Sequence, residues 1–115
     1  MPYVHITTSK KIEDAAKETL NQEIGKIIST LPGKDKDNTL LAITDCGTSM
    51  FKSGAPNHGV FVEVRLYKQS PEENKKELAE KMYDLLKKTL ELPEDGCVYM
   101  NYLEFDNWAS NGNYF

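Results

Sequence analysis

No apolar run in this chain exceeds four or five residues, so no stretch reaches the length that a membrane-spanning helix needs. The first residues contain no apolar signal-like region either, which sets the expectation of a cytoplasmic protein with no membrane partner. Cysteine is scarce. Cys46 and Cys97 lie far apart without CxxC spacing and read as reduced thiols used in packing. The only two histidines, His5 and His58, are too widely separated to make a metal-ligand set with them. No Ser–His–Asp or Cys–His arrangement suggests itself. The formal charge is −4 and no Lys/Arg block stands out, so the footprint of a nucleic-acid binder is missing. At 115 residues the length suits one domain with a single core.

What is present is a grammar that repeats. Val4 to Thr8 alternates and is β-rich, which predicts a strand. Ser9 offers an N-cap, and Ile12, Ala16, Leu20, Ile24, Ile27, Ile28 and Leu31 then recur at three- and four-residue steps. That spacing predicts an amphipathic helix of about five or six turns. "LPGKDKDN" ends it, and "TLLAIT" (Thr39 to Thr44) is a second strand, apolar on both faces as a buried parallel strand would be. After a Gly-, Ser-, Pro- and Asn-rich loop near residues 46–59 the order returns. Val60 to Tyr67 alternates cleanly. "SPEE" offers Ser70 as N-cap, Pro71 as first helical residue and Glu73 for a capping box. Leu78, Met82, Leu85, Leu86 and Leu90 then face a core, and "CVYMNYL" (Cys97 to Leu103) is the fourth long strand.

The expected fold is therefore α+β: a single domain over residues 1–115, made of two βαβ pseudo-repeats at about 1–45 and 60–103. Right-handed crossovers put both helices on one face of a four-stranded sheet. The other face stays open and carries Phe61, Glu63, Arg65, Tyr67, Tyr99, Asn101 and Leu103. A half-apolar open face of that kind predicts symmetric self-association.

An N-terminal Met-Pro, "PGK" after the first helix, "VYMNY" in the fourth strand, and "NG" with a terminal Phe occur here in order over essentially the whole chain. In this respect the sequence resembles the macrophage migration inhibitory factor family of the tautomerase superfamily. The resemblance implies a homotrimer with active sites at subunit interfaces and a catalytic N-terminal proline that moves a proton within a small keto or enol acid. By position, the base falls on Pro2 and the site lysine on Lys34, with Lys36 the nearest substitute. A tyrosine and an asparagine given by the neighbouring subunit fall on Tyr99 and Asn101. The apolar wall falls on Tyr67, and further pocket positions fall on Trp108 and Phe115. No cofactor is implied.

The chemistry has its own logic. An ordinary α-amino group titrates near about 8 and is mostly protonated at neutral pH. Removing it from water and placing Lys34 near it both disfavour the ammonium form. The free secondary amine of Pro2 then becomes a base, provided that Met1 is removed, because an acylated proline has no basic lone pair. Lys34 and Asn101 suit the holding of a carboxylate and of charge on an enolate oxygen.

The chain also departs from the family's familiar member. It has no CxxC in its third-strand region, Tyr67 replaces a smaller aliphatic wall, and Ser110 stands in place of a pocket aromatic. Phenylpyruvate is thus an assay substrate rather than the expected physiological one. Two other readings stay open. One is a cytokine-like binding protein with a receptor partner, reached by the leaderless export known in the family. The other is a proline-based hydratase or dehalogenase, for which Glu63 is the one open-face carboxylate to nominate.

Overall fold

The structure, a computed structural model, describes residues 2–115. In chain order the elements are β1 (Tyr3–Thr8), α1 (Asp14–Ile28), a 3-10 turn (Lys36–Asn38), β2 (Leu40–Thr44), β3 (Phe51–Lys52), β4 (Ala55–Pro56), β5 (Val60–Tyr67), α2 (Glu72–Thr89), β6 (Val98–Phe105), β7 (Ala109–Ser110) and β8 (Asn113–Tyr114). The four long strands form one mixed sheet in the order β2-β1-β5-β6. β1 runs parallel to β2 and antiparallel to β5, and β5 runs parallel to β6. Each βαβ half is thus a crossover, and the two meet at the central β1–β5 ladder.

Alternation in the strands and helical periodicity converge on one core. Val4 and Ile6 of β1 and Val62, Val64 and Leu66 of β5 point into it, against Leu20, Ile24 and Ile28 of α1 and Leu78, Met82 and Leu86 of α2. Both helices therefore cover the same face, as expected, and the α+β class holds. The other face presents alternate strand residues, among them the exposed Phe61 and Tyr99, without cover from either helix.

Several local readings change. Ser9 is not the cap of α1: its hydroxyl lies 3.5 Å from the Asn57 carbonyl and 3.2 Å from His58 Nδ1. The helix begins after Glu13, without a side-chain cap, and spans 15 residues, about four turns. Ile12 remains in the core as part of the preceding coil, where its N–H donates to Asp45 Oδ2 at 2.7 Å. That bond, helped by Lys17, holds the Asp45 carboxyl below its ordinary pKa despite the opposing effect of burial. The predicted capping box of α2 does not form either. Pro71, with extended backbone, is the N-cap, and the Ser70 hydroxyl is buried without a partner among the described residues. β2 is parallel, as expected, but it is an edge strand rather than a buried one, and Leu40 is 66% exposed. Cys46 is exposed, which overturns its reading as a packing residue, while Cys97 is half-buried. The short hairpins β3–β4 and β7–β8 lie in stretches that carried no strand prediction.

A polar cluster ties β6 to the start of α2. Glu104 accepts from the Ser70 N–H at 2.6 Å and from Lys75 Nζ at 2.7 Å. The Tyr102 hydroxyl donates to the Lys75 carbonyl at 2.8 Å. Burial alone would raise the Glu104 pKa; the lysine, the amide and the more distant Lys34 outweigh it and hold it below its ordinary value. Lys75 is raised in turn, by Glu104 first and then Glu72, and burial raises Tyr102.

Two stability outcomes follow. Leu86, fully buried in α2, should cost about 2–5 kcal/mol when replaced by Ala, measured by denaturant unfolding. A carboxylate with a depressed folded pKa contributes stability above its unfolded value and loses it as pH falls through the folded one. Glu104→Gln should therefore destabilise the protein by about 1–3 kcal/mol near neutrality. The gap to wild type should narrow below the ordinary carboxylate value of 4.5, in melting curves taken at several pH values.

Candidate active site

The strand directions gather one set of termini at one end of the sheet. β1 and β2 start there, and β5 and β6 finish there. Pro2 stands at this end, buried, and its carbonyl accepts from the Leu40 N–H at 3.0 Å, one step beyond the Tyr3–Leu40 pair. Proline has no N–H to give to a ladder, so it suits the first position of a strand. Met1 lies outside the described residues.

Lys34 reaches the same end. Gly33, at φ +74°, turns the chain after α1, and the Lys34 N–H closes the turn on the Leu31 carbonyl at 3.1 Å. The half-buried lysine then donates from Nζ to the carbonyl of Tyr67, the last residue of β5, at 2.7 Å. Lys36 sits instead in the exposed 3-10 turn, with its Cβ side toward Gly25 of α1. Of the two lysines, Lys34 is the one at the end of the sheet.

The C-terminal segment builds the wall. Asn111 and Gly112, both at positive φ, make the tight turn between β7 and β8. The chain returns so that the Phe115 N–H donates to the Trp108 carbonyl at 2.9 Å. The Phe115 ring meets Tyr67 at a centroid distance of 5.3 Å, tilted by 37°, and the Lys68 ammonium stands 5.3 Å from the Tyr67 ring centre. Trp108 lines a groove of about 500 Å³ on the open face, with Tyr3, Leu40, Arg65 and Phe105. Pro2, Lys34, Tyr67, Trp108 and Phe115 are thus brought to one end of the sheet.

Tyr99 and Asn101 are not. Tyr99 is opposite Phe61, which is opposite Thr7, five residues along β1 from Pro2. At about 3.4 Å per residue the tyrosine is displaced roughly 17 Å along the strands from the Pro2 end. Asn101, opposite Glu63 and hence level with His5, is displaced roughly 10 Å. Both are exposed on the open face. Tyr99 lines a separate cavity of about 440 Å³ with Phe51, Lys52, Phe61 and Cys97. The chain therefore carries two separated sets of candidate residues. Within one copy the two sets stay apart.

Glu63, the nominated open-face carboxylate, is engaged by Arg65 Nε at 2.5 Å. The sequence reading missed the extension of β6 to Phe105, which puts that ring in the groove; its alternation with Tyr99, Asn101 and Leu103 was the available signal. It also missed Lys68, whose positive φ of 66° turns the chain sharply after Tyr67 and has no sequence signature. Among the described residues no group of three or more His, Cys, Asp or Glu side chains could hold a metal ion. No helix among the described residues is long and apolar enough to cross a membrane.

No protein-family model matches the sequence, and no curated protein matches it. Solved structures do match the fold. The chain superposes on Leishmania major MIF2 with a TM-score of 0.89 at 21% identity, covering 100% of this chain and 97% of that one. It superposes on the macrophage migration inhibitory factor-like protein of Entamoeba histolytica with a TM-score of 0.83 at 22% identity, covering 99% and 98%. A member of the cis-3-chloroacrylic acid dehalogenase family gives 0.83 at 12% identity, covering 98% and 82%. These neighbours are tautomerase-superfamily proteins, and theirs is the fold of this chain.

Proposed function

We propose that the protein is a cofactor-free keto–enol tautomerase in which the amine of Pro2, freed by removal of Met1, is the general base. The observation that carries this reading is the convergence of Pro2, the Lys34 ammonium and an aromatic-walled groove at one end of a tautomerase-type sheet. A buried strand-end amine beside a cation is held toward its neutral form, so it can take a proton from carbon near pH 7 and return it to the neighbouring position. Lys34 binds the substrate carboxylate and stabilises the charge that develops on the enolate oxygen. Tyr67, Trp108 and Phe115 shape the pocket and exclude water.

The site is completed by a second copy in a homotrimer, which presents its Tyr99 and Asn101 to the Pro2 end of its neighbour. The separation of the two residue sets and the uncovered face with Phe61 and Tyr99 support this arrangement. A proline-based hydratase or dehalogenase would need a free second acid or base. The pairing of Glu63 with Arg65 favours the tautomerase over it. A receptor-binding role would leave the convergence at Pro2 without a purpose.

Protein whose mature terminus is confirmed by mass spectrometry should ketonise phenylpyruvate enol. The rate should rise with pH along a limb below the ordinary α-amino value of about 8. Pro2→Gly should lower kcat/KM by about a hundredfold or more and remove that limb. An inactive wild type on a panel of enol acids, or a fully active Pro2→Gly, refutes the reading. Lys34→Ala should lower kcat/KM about ten- to a hundredfold, with Lys36→Ala close to wild type. Light scattering should give the mass of three copies; a monomer that remains active would sink the shared site.

A further inference from the structure

The groove at the Pro2 end of the sheet is lined by one charged side chain, Arg65, a cation that is paired with Glu63. The rest of its lining is Tyr3, Leu40, Phe105, Asn107, Trp108 and Ala109. Arg65 is the ladder partner of Tyr3, whose neighbour in the chain is Pro2. Paired residues in an antiparallel ladder lie about 5 Å apart at Cα, so the base of this side chain is close to the proposed catalytic amine. Two residues further along β5, the Tyr67 carbonyl holds the Lys34 ammonium. Two cations of different kinds therefore flank the same strand end.

The pairing of Arg65 shows which part of it is available. Glu63 takes the Nε edge at 2.5 Å, and this is the ion pair that Arg65 makes among the described residues. Its two terminal amino groups, the end that grips a carboxylate in bidentate fashion, have no hydrogen-bond partner among the described residues, and Arg65 lines the groove. With the Arg65 side chain 47% exposed, the pair adds little to stability. What it does is hold a long, flexible side chain in one orientation before any ligand arrives. An apolar tail laid against this guanidinium would strip water from it and return no hydrogen bond, which penalises simple aryl or alkyl acids.

We infer that the substrate is a keto or enol acid with a second carboxylate, and that Arg65 anchors that distal group. This deepens the tautomerase reading and rests on it. Lys34 takes the carboxylate next to the reacting carbons, the carbon that loses its proton lies at the Pro2 amine, and the far carboxylate reaches into the groove between Trp108 and Phe105 to meet Arg65.

The test compares the enols of phenylpyruvate and 4-carboxyphenylpyruvate, which differ only in the distal carboxylate. Wild type should favour the diacid. Arg65→Gln should reduce the diacid-to-monoacid ratio of kcat/KM by about tenfold or more, mainly through KM, and Arg65→Lys should restore part of it. Calorimetric titration with the non-enolisable 3-phenylpropionate and its 4-carboxy derivative reads the anchor without turnover. The diacid should bind about tenfold more tightly to wild type, and that advantage should vanish in Arg65→Gln. If wild type turns over neither enol yet keeps this Arg65-dependent preference, the tautomerase reading fails and the anion anchor stands. Equal binding of the two acids, or a ratio that Arg65→Gln moves by less than about twofold, overturns the anchor whether or not the enzyme is active. Far-UV circular dichroism of both variants checks that the exposed substitution leaves the fold intact.

Discussion

The antiparallel register of β1 on β5 is the constraint from which the rest of the molecule follows. Tyr3 opposite Arg65 decides that Pro2 meets the end of β5 and therefore the turn that carries Lys34. The same register sends Val4, Ile6, Val62 and Val64 to the helices and leaves Tyr3, Glu63 and Arg65 on the uncovered face. A slip of one residue would exchange these two sets, burying charge and exposing the core. Core burial thus fixes the site geometry indirectly. The apolar residues that make the register costly to change also hold the polar ones in place.

Charge is distributed around the Pro2 end with little waste. Glu104 is shared between Lys75 and the Ser70 amide, so this half-buried acid is already engaged. Its more distant influence on Lys34 is attractive, and the lysine keeps its own hydrogen bond to the Tyr67 carbonyl. On the open side Glu63 is likewise occupied by Arg65. The acids near the site thus serve to orient cations, and the cations keep donor capacity for an anion.

Much of this was legible in the sequence because the chain obeys two periodicities without conflict. The bounds of β5 were readable residue by residue, since Val60 to Tyr67 alternates through all eight positions. The core faces of both helices were equally clear. Helix starts were not: Ser9 and Ser70 look like caps, but tertiary partners claim their surroundings, His58 and Asn57 in one case and Glu104 in the other. The edge position of β2 was hidden as well, because an apolar strand reads the same whether one or both of its sides are paired. Pro2, Lys34, Tyr67, Trp108 and Phe115 were nominated by resemblance to a family pattern, and the structure gathers them at one end of the sheet. The pairing of Glu63 with Arg65 leaves no trace in that pattern, because it depends on side-chain conformation at two positions facing the same way.

The distance along the sheet between Pro2 and Tyr99 has a genetic side. In the proposed assembly each catalytic centre draws its amine from one copy and its tyrosine from the next, so a single polypeptide contributes to two centres and owns neither outright. A lesion at Pro2 and a lesion at Tyr99 then disable different centres of the same molecule. Two defective alleles carrying one lesion each, expressed together, would form some interfaces in which both contributing surfaces are intact. Such alleles would complement one another in a cell where neither functions alone, and a copy damaged at one end would still be useful to its neighbour at the other.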